Sequence, residues 1–451
     1  MTKAGAGERL VITGATAVTM TGPSGIIPDS EVVVEGSFIV SVGPRGQGAA
    51  AREPGTRVID ATGKVLIPGL VNAHTHAAMS LLRGYAEDLP LQEWLREKIW
   101  PAEQQLTPED VYWGTLLAIA EMILSGTTAF ADMYFHMDEV ASAVRQSGAR
   151  AALAPGMVSG GGGDDELLGA ARRFAARWHG AGDGRITVMF GPHAPYTCTP
   201  ALLGRVSQLA REMGLPVHIH LAETEGEVAE CLVRYGKTPL GVVREAGLLD
   251  GILLAAHCVH LEDDEVAALA SLRGACVHCP VSNLKLGAGI APLLRLLDAG
   301  VPVALGTDGA ASAGALDMFT AMRAAALLPR GIHGDPTRPT AYQVLEMATV
   351  GGARAIGQGH HLGKLQPGMK ADLVILDMRR PGTWPVHDLY AGIVYSAGPA
   401  NVETVIVDGR PVFFERRLLN IDLSSVMAEC EARARRLVAA GRRRRRCSHF
   451  A

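Results

Sequence analysis

The chain has 451 residues, 48% apolar and 20% charged, a globular composition with material for a large domain and a second, smaller one; intrinsic disorder is excluded. A formal net charge of −4 excludes a general attraction to nucleic acid or to an anionic membrane. Seven scattered cysteines, an odd number, exclude a disulfide scaffold and point to a reducing compartment, so the expected address is the cytoplasm.

The N-terminus, Met1 to Arg9, is polar and has no secretory apolar core. No window runs about 18 apolar residues without interruption, so no membrane span is expected. From residue 9 to 67 the chain reads as short strands. Leu10–Thr13, Ala17–Met20, Glu31–Glu35 and Phe38–Val42 are rich in β-branched residues, with Gly22, Pro23, Gly36, Gly43 and Pro44 as punctuation. These are too few for a complete sandwich. The missing strands lie near the other end, where Gly368–Asp377 reads as a turn and a strand, and Val402–Phe414 as a hairpin around Asp408-Gly409.

Between these segments, short apolar strands alternate with helical stretches such as Pro108–Leu124, Ala201–Met213 and Glu225–Tyr235. The strands are expected at 70–76, 127–133, 150–157, 187–194, 216–223, 253–260, 275–283 and 301–308. Eight such units predict a (β/α)8 barrel, whose chemistry sits at the C-terminal strand ends. A doubly wound open sheet needs a phosphate-binding glycine motif after its first strand, and Thr75-His76-Ala77-Ala78 is not one. The expected fold is therefore α/β: a β-sandwich part at 1–67, a barrel at 68–362, the second sandwich part at 363–421, and a C-terminal helix with an arginine-rich tail at 422–451. Arg442 to Arg446 read as a solvated terminal block, and Gly160 to Gly163 as a flexible loop.

The first barrel strand ends in Asn72-Ala73-His74-Thr75-His76, and strand alternation puts His74 and His76 on one face with Thr75 on the other. The fifth strand adds His218 and His220 followed by Glu223, the sixth His257, and the eighth Asp308. All fall on one rim. Buried ionisable groups are costly unless paired or bound to a metal, and three imidazoles with one carboxylate are an ordinary shell for zinc or ferrous iron.

These residues, with Pro68–His76, Leu81-Leu82-Arg83-Gly84, His220–Thr224, Ala256–His260, Ser282–Gly287 and Leu305–Ser312, resemble the amidohydrolase superfamily. Within it they are most similar to the methylthioadenosine/S-adenosylhomocysteine deaminase and chlorohydrolase group, over roughly residues 10 to 415. The resemblance implies metal ligands at His74, His76, His220 and Asp308. It implies Glu223 as the acid on a ring nitrogen and His257 beside the nucleophilic water. Glu103 and His193 match substrate-contacting positions. It further implies a homo-oligomer, dimer or tetramer.

Binuclear relatives bridge two metals with a modified lysine at the end of the fourth strand. Here that strand ends Gly191-Pro192-His193, and the only lysine between His76 and His220 is Lys98. One divalent ion per subunit is expected, zinc first and iron as the alternative. Such an ion lowers the pKa of its water from about 15.7 to about 7. Asp308 then takes the water's proton and delivers it to departing ammonia, Glu223 protonates the ring, and His257 stabilises the adduct. The expected substrate is an adenosine-type nucleoside: adenosine, 5′-deoxyadenosine, methylthioadenosine or S-adenosylhomocysteine.

Other residues read more plainly. His218 reads as barrel filling, His260 as a loop histidine, and Cys276-x-x-Cys279 as packing. The chain has no Pro-Cys-x-x-Cys, which sets aside the cytidine-deaminase fold. One departure stands out: the group places arginines at and after the third strand end, whereas no arginine occurs from Ala151 to Ala171. The near alternative is the same site acting on another aminated or halogenated heteroaromatic such as guanine, a pterin or a triazine. The distant one is a non-catalytic metal-binding scaffold.

Overall fold

The computed structural model describes residues 9–46, 55–160 and 163–448, with side chains through residue 439. The expectations for Met1–Glu8, for Gly161 and Gly162, and for the side chains of Arg442 to Arg446 lie outside the described residues.

Strands from both ends of the chain join one nine-stranded sheet. Its hydrogen-bonded path runs Arg417–Leu418, Arg410–Phe414, Val402–Val407, Leu373–Leu376, Val65–Pro68, Arg9–Val18, Ile26–Glu35 and Phe38–Pro44, with Arg57–Asp60 beside Arg9–Val18. Leu373–Leu376 pairs antiparallel with Val65–Pro68, the strand that leads into the barrel, so the two ends of the chain meet at the barrel's entrance. Leu10, Ile12, Val32, Val34, Leu66, Leu373, Ile375 and Ile406 form its apolar core. The segments Leu10–Thr13 and Ala17–Met20, expected as two strands, are one strand, Arg9–Val18, with irregular register around Ala15. The hairpin at 402–414 turns through Asp408 (φ 54°) and Gly409 (φ 80°), the left-handed pair of a tight two-residue turn. A Cβ on Gly409 would lie 2.0 Å from the Gly36 carbonyl oxygen, so only glycine fits.

Arg150, at the start of the third barrel strand, ties the two units together. Its guanidinium donates to both carboxylate oxygens of Asp372 (2.8 and 3.0 Å) and to Asp408 (3.0 Å), with Arg150 and Asp372 buried and Asp408 partly so.

The barrel strands are Leu70–Thr75, Thr127–Tyr134, Arg150–Met157, a fourth broken into Ile186–Val188 and Gly191–Pro192, Val217–Leu221, Leu253–His257, Ala275–His278 and Val303–Leu305. Neighbours within each half pair in parallel. A bridge between Phe190 and Val217 joins the halves on one side. On the other, the Asp308 amide donates to the His74 carbonyl (2.9 Å), and Asn72 and Thr307 exchange hydrogen bonds of 2.7 and 2.9 Å. Each expected barrel strand is present.

The sixth and eighth, Leu253–His257 and Val303–Leu305, are shorter than the expected 253–260 and 301–308, and so is the seventh. It stops at His278, and Pro280 opens a helix, Pro280–Lys285. Proline has no N–H for the ladder but is well suited to a first helical turn, so residues 280–283 leave the sheet.

Helices Pro108–Leu124 and Glu225–Tyr235 occupy the expected spans, and Pro200–Met213 starts one residue early. Each begins at a threonine cap, Thr107, Thr199 or Thr224, whose hydroxyl accepts a first-turn amide. The C-terminal helix, Leu423–Ser448, buries Val426, Cys430 and Leu437. Its Arg433 and Arg436 pair with Asp110, the capping-box residue of the Pro108–Leu124 helix, which docks it on the outside of the barrel.

Candidate metal centre and pocket

The C-terminal strand ends bring together every residue singled out for chemistry. His74 and His76 leave the first strand on one face, their ring centroids 4.9 Å apart. Thr75 points away, its hydroxyl donating to the Ala131 carbonyl (2.7 Å) and to Asp132 (2.8 Å). His220 arrives from the fifth strand and Asp308 from just beyond the eighth. The close approach of these strands requires Gly306, where a Cβ would lie 2.8 Å from that of His74. Ala222, His257 and Asp308 have φ of 50°, 75° and 67°, a left-handed backbone costing about 1–3 kcal/mol each and typical of functional sites.

The hydrogen bonds fix which ring nitrogens face the centre. His76 Nδ1 lies 2.7 Å from the Met133 carbonyl and His220 Nδ1 2.7 Å from the His193 carbonyl. A carbonyl only accepts, so both Nδ1 atoms carry the proton, and in the neutral rings both Nε2 atoms are bare lone pairs. Those two Nε2 atoms face each other at 3.2 Å. Two acceptors at that distance repel unless a cation lies between them. His74 Nε2 is buried with no hydrogen-bond partner, 3.6 Å from Asp308 Oδ1, which is itself 3.3 Å from His76 Nε2. The donor atoms of His74, His76 and His220, and those of His74, His257 and Asp308, each lie within 4.8 Å of one another. This set fits a divalent cation, which supplies the partner that the orphaned nitrogen and the opposed lone pairs lack.

The electrostatics agree. Burial holds the His74 and His257 rings down to a pKa of about 4 and keeps His220 well below its ordinary value, so all are neutral ligands or acceptors at pH 7. Burial alone would raise Asp308, but its contact with His74 and the nearby rings outweigh this and hold it an anion. Its Oδ2 accepts from the hydroxyls of Ser282 and of Ser312 (2.8 Å), leaving Oδ1 toward the histidines. Glu223 is pushed up to about 8, first by burial and then by the charge of Asp308, so it is protonated at neutral pH. It lies 3.7 Å from His257 Nδ1, which Asn283 holds at 3.0 Å.

A cavity of about 450 Å3 opens over this centre, a size suited to a small-molecule ligand. His76, His220, Asp308, Glu223 and His257 form its floor, and Glu103 and His193 stand on its wall. Glu103 accepts from the Tyr134 hydroxyl (2.7 Å), which holds it in place, while His193 Nδ1 pairs with Thr197 (2.9 Å). Thus Glu103, expected from resemblance alone, faces the pocket. His260, in the loop after the sixth strand, bonds the Ala288 carbonyl, and the described cysteines are free and buried.

Sequence reasoning missed the partners that hold these groups. Ser282, Asn283, Ser312 and Tyr134 carry no spacing signal of their own. His218 is the sharpest case: its Nε2 lies 2.7 Å from His74 Nδ1, both rings fully buried. It fills a layer and also orients the His74 ring, a part that backbone carbonyls play for His76 and His220. Replacing His218 with leucine is expected to weaken metal affinity about 10–100-fold, read by competition with a chelator, whereas His218→Gln, which keeps an acceptor, recovers most of it.

Comparison with known proteins agrees with this geometry. A profile described as the amidohydrolase family matches residues 65–412. A protein of Pelotomaculum thermopropionicum named 5-methylthioadenosine/S-adenosylhomocysteine deaminase is 51% identical over 429 residues, 95% of this chain and 99% of that one. The zinc-bound structure of an adenosine deaminase from Xanthomonas campestris superposes with a TM-score of 0.91 at 38% identity, covering 95% of this chain and 98% of that one. A zinc complex of atrazine chlorohydrolase from Arthrobacter aurescens superposes with a TM-score of 0.86 at 25% identity, covering 94% of this chain and all of that one (100%).

Proposed function

The chain belongs to the amidohydrolase family, and on that premise we propose that it is a metal-dependent aminohydrolase that deaminates an adenosine-type nucleoside and releases ammonia. One observation carries the reading: a centre of three imidazoles and an ionised Asp308 shares its pocket with a carboxylic acid, Glu223, that keeps its proton at neutral pH. The names of the relatives support the substrate class.

In this reading His74, His76, His220 and Asp308 hold one divalent ion per subunit, zinc by preference and ferrous iron as the alternative. When bound, the ion lowers the pKa of water from about 15.7 to about 7 and so supplies a nucleophile at neutral pH. Glu223 donates its proton to the ring nitrogen beside C6, which draws electron density away from the attacked carbon. Asp308 accepts the water's proton at Oδ1, the oxygen that faces the histidines and takes only the Gly309 amide (2.6 Å), and passes it to the departing amine. His257, neutral and fixed through Asn283, steadies the oxygen that becomes negative. Glu103 and His193 bind the nucleoside. A single ion is supported by the end of the fourth strand, where His193 pairs with Thr197 and no lysine follows.

A homo-oligomer and a cytoplasmic address complete the proposal, the latter supported by the free thiols of Cys198, Cys231, Cys258, Cys276, Cys279 and Cys430. Among the described residues no helix is long and apolar enough to cross a membrane.

The pH profile follows from Glu223. Only its protonated form can donate, so kcat/KM is expected to hold below the pKa of this group and to fall as pH rises through it. Burial places that limb at about 8, and a bound cation acts in the opposite sense, so the limb should appear at or below about 8. A flat profile to pH 10 would remove Glu223 from the role of acid. The substrate class is tested by a panel of adenosine, 5′-deoxyadenosine, methylthioadenosine, guanine and a chlorotriazine. The nucleosides are expected to release ammonia fastest; fastest turnover of the triazine would reassign the site to another leaving group.

A further inference from the structure

A buried carboxylate with no part in the reaction described above, Glu227, stands four residues beyond Glu223 in the first turn of the helix Glu225–Tyr235. Thr224 and Glu227 have the spacing of a capping box, in which the glutamate returns to the amide of the threonine. The threonine half is present, its hydroxyl accepting from the Glu227 amide (3.1 Å). The glutamate reaches further back. Its Oε1 accepts from the Ala222 amide (3.1 Å) and its Oε2 from the Glu223 amide (2.7 Å), both contacts buried. These two amides precede the cap residue, so the helix itself does not need them satisfied.

What the two contacts hold is the turn between His220 and Glu223. Ala222 is left-handed, φ 50°, a conformation that a residue with a Cβ rarely adopts. Its two peptide groups are held together: Glu227 takes the amide, and the amides of Val259 (3.0 Å) and His260 (2.9 Å) donate to the carbonyl. The Cys258 amide donates to the Leu221 carbonyl (2.9 Å). The turn that carries Glu223 is thereby joined to the turn after the sixth strand, whose His257 ring lies 3.7 Å from the Glu223 carboxyl.

Resting on the deaminase reading, we infer that Glu227 is a positioning residue for proton transfer: it fixes the backbone from which Glu223 reaches the ring nitrogen, without lining the cavity itself. Proton transfer needs the acid within hydrogen-bond reach of its target, and a misplacement of about 1 Å costs about 100-fold in rate. A helix cap, by contrast, contributes to stability and not to rate.

The test is a cycle of four full-length, metal-loaded proteins, the parent, E227Q, E223Q and the double variant, assayed for ammonia release from adenosine and methylthioadenosine. Glutamine keeps the shape but has one accepting oxygen, so one of the two amides is left facing an NH2 group. E227Q is expected to keep its metal, to lose about 10- to 100-fold in kcat and to hold KM within about threefold of the parent. In the double variant this loss should vanish, with kcat within about threefold of E223Q, because no acid remains to be aimed. E227D, which keeps both oxygens on a shorter arm, is expected between the parent and E227Q, and it replaces E227Q in the cycle if that variant does not fold. Parental kcat in E227Q, a change in KM alone, a loss of metal, or the same loss again in the E223Q background overturns the inference and leaves the deaminase reading intact. Failure of both Glu227 variants to fold makes the residue part of the fold only, which also overturns it. A parent that releases ammonia from no adenine nucleoside overturns the deaminase reading and this inference together.

Discussion

Asp308→Asn is expected to fold, to lose its tight metal binding, and to deaminate at least about 10^3-fold more slowly than the parent. Folding is expected because the residue sits at φ 67°, and asparagine is among the side chains best tolerated in the left-handed region. The loss follows from what the carboxylate does. It is the only anion in the described four-residue set, its Oδ1 lies 3.3 and 3.6 Å from the Nε2 atoms of His76 and His74, and it is the acceptor for the water's proton. An amide supplies neither the charge nor the base. Its nitrogen would also face the donating hydroxyls of Ser282 and Ser312, leaving one hydroxyl or the amide without an acceptor. Metal content by elemental analysis and turnover by ammonia release should fall together; a variant with full metal and full activity would remove Asp308 from both roles.

Glu223→Gln should separate these two quantities. It is expected to keep its metal and lose about 10^2- to 10^4-fold in kcat, the range for one general acid. Glutamine retains the shape and a hydrogen-bond donor, so the nucleoside still binds and KM moves little. What it cannot do is release a proton to the ring nitrogen. The burial that holds Glu223 protonated at neutral pH is thus put to use only in the transition state, which is why the loss should appear in kcat. Unchanged kcat with raised KM would make Glu223 a binding group only.

Where these residues sit was largely legible in the chain. His74 and His76 share a face because strands alternate, and Asp308 joins them because an eight-stranded barrel returns its last strand beside its first. Two of the helices expected between the strands, Pro108–Leu124 and Glu225–Tyr235, start where their apolar pattern begins. What escaped was set by tertiary contact. The proline at 280 ends the seventh strand within an apolar run, and so Asn283 reaches His257 from a helix. His218 shares strand parity with His220, so either filling or ligation suited it. Its orienting contact depends on a ring 144 residues away, which no local pattern records. The opposed lone pairs of His76 and His220 depend on two backbone carbonyls of other strands, equally invisible before the barrel is closed. Glu103 carried no internal signal, because its inward turn is fixed by Tyr134 from a neighbouring strand.

The central claim is that these four side chains seat one cation on which the chemistry depends. Its most direct test strips the protein with a chelator, removes the chelator, and follows ammonia release from adenosine or methylthioadenosine as zinc is titrated back. The account predicts negligible release from the stripped protein and recovery that rises linearly to a plateau at one equivalent per chain. Full release from protein shown to hold no metal would contradict it.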